Sequence, residues 1–571
     1  MWGKRKFDLE IESKILSKYN DKLIARLLSQ RSIKPDDVSS FIECKYEDLS
    51  DPYSFNGMEK AVKILAQTAH DHKQVAVIGD YDCDGIFSSA MIKEACRSLG
   101  IKCKVFLPSR MEHGYGLNDK TIEAFSEKIN FPDIGTLIMV DCGTNNKEEI
   151  EWLRSDGIKN IIVIDHHLPD MQKISDNADV IINWHLDTNK SEMCAAGEVF
   201  QFIRGIRKKT KKIDPMEFIT YAAIGTIADV SPIVGDNRII VRHGLKRGAI
   251  GKIISTGLNS LKRQSKIYDD DLTQEDVSFK IAPRINAVGR IENPLPAYGL
   301  LIEKDNDEAD LISEYVDESN KQRKMIQKEI EYAVEEAIKS GIYSNGILVY
   351  NKNWHIGIVG IVASRISETF NKPTFILGEH NGVIKGSGRS GEGINLKEIM
   401  DSCSYMFEKY GGHAHAAGAT LKRDFLEKAP LIFDEACKKY YELHLDGNPK
   451  SFKKYDVDIP PQYVNTKIAQ KILSTLYPYC TINNPEPIFR LHKARIHDVD
   501  LNEGEHWKSL KFYVSCGEID IPMKFLSFSS QYGTELDGMV KDIYFSFPQR
   551  IYNKNGEINP LNIIDILDIE T

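Results

Sequence analysis

Apolar and polar positions give the first outline of the chain. Residues 1–50 place Ile15, Leu16, Leu23, Ile24, Leu27 and Leu28 at helical spacing, which predicts peripheral helices. A unit then recurs: a short apolar strand, a turn bearing glycine or aspartate, and a helix. VAVIG (75–79) is followed by a helix through 90–99, and IKCKVFL (101–107) reads as the next strand. LIMVD (137–141) precedes a helix ending near Gly157, and IIVID (161–165) and VIIN (180–183) follow. Strands and helices alternating at this spacing predict βαβ units and an α/β domain on a doubly wound parallel sheet.

Residues 305–340 hold no Gly and no Pro and are rich in Glu, Lys, Ile and Ala. One helix across that stretch would be about 54 Å long and reads as a linker between lobes. GILVY (346–350) and PTFIL (373–377) restart a smaller α/β pattern. After about residue 448 the texture becomes short alternating strands such as KSLKFYVSC, IPMKFLSF and DIYFSF, which predicts a small β-barrel. The expected division is 1–50, a helical segment; 51–304, the first α/β domain; 305–340, the linker helix; 341–447, the second α/β domain; and 448–571, the barrel. No internal repeat or low-complexity segment interrupts it.

Composition narrows the class. A chain of 571 residues has room for three or four cores. Its net charge of −9 argues against a protein that simply coats nucleic acid, although local basic grooves remain open to it. Ten cysteines without one C-x-x-C pair fit a reducing compartment better than a disulfide or thiolate-zinc scaffold. The segment MWGKRKFDLE has no apolar core of a secretory signal, and no apolar run approaches a bilayer span. A cytoplasmic protein with no membrane association is expected.

The chemistry gathers where apolar runs end in acidic residues. VAVIGDYDCDG supplies Asp80, Asp82 and Asp84; LIMVDCG supplies Asp141; IIVIDHH supplies Asp165, His166 and His167. Asp229 closes the run YAAIGTIADV. An aspartate after a strand ordinarily N-caps the next helix. Ligands in open α/β sheets, however, bind at the carboxyl ends of strands, so these groups would converge. Six carboxylates and two imidazoles in one crevice repel unless cations compensate them. Oxygen-rich ligation with an imidazole suits Mn²⁺ or Mg²⁺, and so many carboxylates can hold two ions. Such pairs activate water for in-line attack on phosphorus, so hydrolysis of a phosphodiester or phosphoanhydride is the chemistry implied. One of the two adjacent histidines is expected as a ligand, the other facing the phosphate or orienting a ligand.

In this order the residues resemble the DHH phosphoesterase superfamily, whose name is the triplet seen here as Asp165-His166-His167. Further motifs narrow the resemblance to the RecJ single-strand-specific exonucleases: LPSRMEHGYGLN (107–118), AIGTIADVSPI (223–233), PRINAVGRI (283–291), NWHIGIVGIVASRISETF (353–370), KGSGRS (385–390) and GGHAHAAG (411–418). The resemblance runs from about residue 50 to the C-terminus. It implies a DHH catalytic domain, a DHHA1-type second domain and an OB-fold barrel. It also implies 5′→3′ hydrolysis of single-stranded DNA to mononucleotides in recombination and repair. One ion would use Asp80, Asp82 and Asp141. The other would use Asp84, Asp141, His166 and Asp229, with Asp141 bridging. Asp165 would orient a histidine, and His167 would contact the scissile phosphate. Ser387, Arg389 and His413 would hold phosphates near the 5′ end, with Arg110 and Arg284 lining the same channel. A 5′-phosphorylated single strand is the expected partner, with a single-strand-binding protein and a helicase cooperating, and the chain is expected to be a monomer.

Residues 452–571 contain 16 aromatics, candidates for base stacking or for barrel core, but carry a net charge of −3 from 13 basic and 16 acidic residues. The segment PYCTINNPEP (478–487) stands where the family has the glycine-rich PFGxGNPEP. Cys83 and Cys142 lie inside the acidic motifs and are expected to make the site sensitive to oxidation. Two other readings compete. One is a DHH hydrolase of short oligonucleotides, RNA, cyclic dinucleotides or pyrophosphate, although those relatives are shorter. The other is a non-catalytic DHH scaffold of a replication complex, although such relatives lose the carboxylates retained here.

Overall fold

The computed structural model describes residues 2–567 except 111, 115, 188–191, 247–254, 270, 340, 392, 445–452, 481–483, 505–506, 517–518, 528–533 and 552–560. The first α/β domain is built on a five-stranded sheet. Its spatial order is Cys103–Phe106, Gln74–Gly79, Ile134–Val140, Ile161–Ile164, Val180–Ile182, and every neighbouring pair is parallel. Successive strand residues enter opposite cores, as strand geometry requires. Val75, Val77, Ile138, Val140, Ile162 and Ile164 face a core shared with the helices Met58–His70 and Cys83–Ser98. Ala76, Ile78, Leu137, Met139, Ile161 and Val163 face the helices Asp119–Lys128 and Lys147–Ser155. Both faces are covered, which is why these strands read as continuous apolar runs. The strand order reverses between Gln74–Gly79 and Ile134–Val140, and a crevice forms at that switch point.

The helix Asn306–Ile338 is 33 residues long, about 50 Å at the α-helical rise. It is more than a spacer. Ala309 and Val316 belong to the first domain's core, whereas Ile330 and Val334 belong to a core of the second. Each end is therefore fixed by burial, and the helix sets the spacing of the lobes. The second domain carries a five-stranded sheet in the order Phe407–Gly412, Ala416–Leu421, Val383–Arg389, Thr374–His380, Ile347–Tyr350. Only its last pair is parallel.

The C-terminal sheet has six strands, Val457–Asp458, Phe489–Gly504, Trp507–Cys516, Ile519–Ser527, Leu561–Leu567 and Val540–Ser546, and the last pairs back onto Phe489–Gly504 to close a barrel. The N-terminal segment departs from expectation. Its helices, Leu9–Tyr19, Lys22–Ser29 and Val38–Glu43, form as the spacing predicts, but they are not peripheral. Ile15, Leu27 and Leu28 are fully buried in the barrel core with Phe489, Leu510 and Phe545. Trp2–Lys4 adds a parallel strand to Lys453–Tyr455, and buried Arg31 pairs with Asp456 at 3.1 Å. Arg31 also donates to Asn484 Oδ1 at 2.9 Å and to the Pro485 carbonyl, so its side chain holds the latter part of the divergent 478–487 segment, of which 481–483 lie outside the described residues. Arg238 of the first domain donates to the carbonyls of Leu476 and Pro478 and ties the barrel to it.

Candidate metal centre

The two strands at the switch point end in Asp80 and Asp141. Asp141 adopts φ 60°, a left-handed conformation that aspartate tolerates and that turns the chain sharply out of the sheet. The loop after Gly79 enters the helix Cys83–Ser98 with Asp82 as its N-cap, whose Oδ1 accepts from the N–H groups of Asp84 and Gly85 at 3.0 and 3.2 Å. Capping uses one carboxylate oxygen and leaves the other for a cation, so the two readings of this aspartate are compatible. Gly85 is required by space, because a Cβ there would stand 2.5 Å from the Asp80 carbonyl oxygen. Asp84 is aimed by the start of the helix Ala195–Thr210, whose Ala195 and Ala196 N–H groups donate to its two oxygens at 2.8 and 2.9 Å.

Asp229 does not follow a strand. Its apolar run is the buried helix Ile219–Ala228, and Asp229 is the C-cap. Ser231 Oγ donates to its Oδ2 at 2.5 Å. The structure brings the ligand atoms of Asp80, Asp82 and Asp141 within 4.8 Å of one another, and does the same for Asp84, His166 and Asp229. His166 Nε2 lies 3.2 Å from Asp141 Oδ1, 3.8 Å from Asp229 Oδ1 and 3.9 Å from Asp84 Oδ2, so the two groups meet at Asp141.

These groups are short of positive charge. Burial, and then Asp82, pushes Asp80 up to about 8; burial, and then Asp229, pushes Asp84 up to about 7. Burial and the neighbouring carboxylates hold Asp141 well above the usual range. Asp80 Oδ1 is buried without a hydrogen-bond partner. Divalent cations restore the ionised forms, and the all-carboxylate and imidazole donor set fits Mn²⁺ or Mg²⁺.

Asp165 lies apart from the two groups in role. Burial opposes its ionisation, but His167, 2.7 Å from Nδ1 to Oδ1, and the Thr144 N–H, at 2.9 Å, outweigh it and hold the carboxyl well below its usual range. The same bond raises His167 to about 9. Asn183 donates to the His167 carbonyl at 2.9 Å and to Thr144 at 3.0 Å, which fixes this pair beside the acidic groups. A cavity of about 230 Å³ opens here, lined by Asp80, Asp141, Asp165 and His167 and by Leu117, Asn145 and Asn146 on its far wall.

The second domain meets this crevice with cations. Ser387 and Arg389 lie on Val383–Arg389, and a Cβ at Gly360 would stand 3.2 Å from Ser387 Oγ and 3.7 Å from an Arg389 nitrogen. The helix Val359–Phe370 thus begins against both side chains. His413 is exposed in the turn between Phe407–Gly412 and Ala416–Leu421, where Ala416 pairs with Arg389. Burial, and then Arg110 across the cleft, lowers Arg389. Arg110 lies 5.8 Å over the Tyr81 ring.

Arg284 is placed differently: its Nε donates to Asp317 of the long helix at 2.8 Å and its Nη1 to the Lys280 carbonyl. Arg290, two helical turns on, sits beside Arg110, Tyr81 and Asp82, and burial lowers it to about 10. Arg284 and Arg290 share the motif PRINAVGRI (283–291), and spacing alone does not say which arginine a neighbouring helix will capture. Asn286 lies in the same motif without having been singled out; its Oδ1 accepts the Cys83 N–H at 2.7 Å and braces the acidic loop. Trp354 is core, and His355 accepts from the Gly357 N–H at 3.2 Å. The expected oxidation sensitivity is corrected: Cys83 and Cys142 are buried, and burial pushes both thiols well above their ordinary range, away from the reactive thiolate.

Comparison with known proteins agrees with this geometry. Residues 74–226 match the DHH family N-terminal domain and residues 343–439 the DHHA1 domain. A single-stranded-DNA-specific exonuclease RecJ of Dickeya dadantii is 30% identical over 446 residues, covering 74% of this chain and 74% of that protein. This chain belongs to the RecJ family. The Escherichia coli RecJ is 29% identical over 82% of the chain and 83% of its own length. The Bacillus subtilis RecJ is 32% identical over 70% of the chain, a match spanning half of that longer protein. The crystal structure of Thermus thermophilus RecJ in complex with Mn²⁺ superposes with a TM-score of 0.80 at 23% identity, covering 99% of this chain and 78% of that one. That likeness extends the shared fold across the barrel and the N-terminal segment. No helix among the described residues is long and apolar enough to cross a membrane.

Proposed function

We infer that this chain is a metal-dependent, single-strand-specific exodeoxyribonuclease that removes mononucleotides 5′→3′ and serves recombination and repair. The observation that carries the reading is the pair of acidic groups meeting at Asp141, with Arg110 and Arg290 beside them and Arg389 of the second domain across the cleft. We assign Asp80, Asp82 and Asp141 to one ion and Asp84, Asp141, His166 and Asp229 to the other. Bound there, two divalent ions supply an activated water and neutralise charge on the phosphate.

The chain's own residues do the rest. Asp165, 2.7 Å from His167 Nδ1, orients the ring and favours its imidazolium form, whose other ring N–H can donate to a non-bridging phosphate oxygen. Asn286 and the N–H groups of Ala195 and Ala196 fix the carboxylates before substrate arrives. Ser387, Arg389, His413 and Arg110 are assigned to the 5′-terminal phosphate; a planar guanidinium recognises its oxygens in bidentate fashion. Arg284 contributes through Asp317 and the position of the long helix. That helix sets a cleft that admits one strand and excludes a duplex. The domain limits follow as 51–304, 305–340, 341–447 and 448–571, the last an OB-fold. The protein acts as a monomer in the cytoplasm, with a helicase and a single-strand-binding protein preparing its substrate.

The test is digestion of a 5′-phosphorylated single strand with Mn²⁺, with and without Asp141→Ala. Stepwise loss of 5′ mononucleotides, abolished by the substitution, is expected. Digestion from the 3′ end, or activity indifferent to the substitution, contradicts the reading.

A further inference from the structure

One helical face beside the metal loop has a member that none of these roles uses. The helix Gln274–Asp276 continues through a π-helical turn, Val277–Ile281, into Ala282–Ile291. Val277, Ile281, Ile285 and Val288 pack into the first domain's core. Counting ~100° per residue along the α-helical part and less through the π turn, Phe279, Asn286 and Arg290 share the opposite face, within roughly 60° of one another. Two of the three are already in the site: Asn286 braces the acidic loop through Cys83, and Arg290 sits beside Arg110 and Asp82. The third, Phe279, is 73% exposed. It is carried on a π turn, a rare conformation that is frequent at functional sites.

The order along the axis matters. The Arg290 end abuts the second domain, since a Cβ at Gly357 would stand 2.2 Å from the Arg290 carbonyl oxygen. Asn286 lies at the metal loop. Phe279 comes seven residues before Asn286, about 10 Å farther along at ~1.5 Å per residue. That span is roughly three nucleotides at the stacked rise of ~3.4 Å, and fewer for a stretched strand. The face therefore runs from the phosphate-holding end, past the acidic groups, to a bare aromatic ring.

We propose that Phe279 is a stacking platform for a nucleobase of the bound strand, two to five nucleotides from its 5′ end. The proposal rests on the exonuclease reading above and adds a contact on the 3′ side of the cleaved bond. Every base has a π-face, so the platform grips the strand without sequence preference, as a processive or distributive exonuclease alike requires. Truncating an exposed ring that touches no substrate would change nothing.

The experiment measures KM for a 5′-phosphorylated 12-mer with Mn²⁺, unmodified or with one abasic residue at position 2, 3, 4 or 5. The proteins compared are wild type, Phe279→Ala and Phe279→Trp. Phe279→Ala is expected to raise KM about tenfold, the fold-change of a modest base–aromatic stack, and Phe279→Trp to restore it. In the wild type, one abasic position is expected to raise KM by a similar factor, and in Phe279→Ala that same position is expected to cost less than about twofold. Full-chain digestion with KM for Phe279→Ala within twofold of wild type, or with identical abasic penalties in both proteins, overturns the stacking contact alone. A wild-type chain that leaves the unmodified 12-mer intact overturns the exonuclease reading and this contact with it.

Discussion

The two walls of the cleft carry opposite charge and are built in opposite ways. The wall from the first domain is acidic, buried and rigid. Asp84 and Asp141 are almost inaccessible, and their positions are over-determined by helix N–H groups, an N-cap and a strand end. The facing wall is basic and half-open, with Arg389 and Ser387 on one strand against a helix start and His413 in a turn. The acidic wall alone would repel a phosphate; the basic wall alone would hold any anion and cut nothing. Function requires cations on one side and a phosphate between the two, so breaking either wall has a distinct signature.

The acidic wall gives the largest effect. Asp141→Ala removes the group shared by both clusters, and kcat is expected to fall by roughly 10³-fold or more, at least what one transition-state stabilising group supplies; single-turnover digestion measures it. Gly225→Ala acts from behind. A Cβ there would stand 2.5 Å from Ala196 Cβ and 2.8 Å from Asp84 Oδ1, so the variant displaces the carboxylate without deleting it. Mn²⁺ affinity is expected to drop about 10–100-fold, the usual cost of disturbing a group that orients a ligand, and a titration of activity against Mn²⁺ reads it. The basic wall behaves otherwise: Arg389→Lys keeps the charge and loses the planar fork. KM for a 5′-phosphorylated strand is expected to rise about tenfold, while the preference over a 5′-hydroxyl end shrinks.

These residues were unequally legible in the sequence. Asp80, Asp82, Asp84, Asp141 and Asp165 stood out because a parallel strand buried on both faces is an apolar run, and an acidic group at its end has no core role. Asp229 was assigned to the second ion through the resemblance, but its element was left open, since an apolar run of ten residues does not distinguish a buried helix from a strand. The burial of Ile15, Leu27 and Leu28 in the barrel was invisible, because helical spacing shows an apolar face and not the partner more than 400 residues away. Likewise, Arg284 and Arg290 look alike on the chain, and only the long helix's Asp317 decides that the first is occupied and the second free to face the cleft.

Smaller effects test how the walls are held. Asp276 is buried at the start of the helix that carries Phe279, Asn286 and Arg290, with Arg550 of the barrel at 2.6 Å and Lys280 at 2.8 Å. Burial pushes its pKa up, but those partners outweigh burial and bring it down to about 2. The folded-state value lies below the unfolded one, so this stabilisation is complete above about pH 4 and is lost as pH falls toward 2. Asp276→Asn is expected to cost roughly 2 kcal/mol at pH 7 and to flatten the acid limb of stability, read by urea unfolding between pH 2 and 7. The smallest effect falls on Val230, which is 71% exposed and sits at φ 63°, a strained conformation for a β-branched residue, directly after Asp229. Val230→Gly is expected to stabilise the fold by roughly 1 kcal/mol while loosening Asp229, seen as a higher melting temperature with weaker Mn²⁺ activation.

Anomalous diffraction from crystals soaked in Mn²⁺ tests the central claim most directly. The account predicts two manganese peaks about 3.5–4 Å apart, one beside Asp80 and Asp82, the other beside Asp84, His166 and Asp229, with Asp141 touching both. A single peak, or peaks that do not share Asp141, would contradict it.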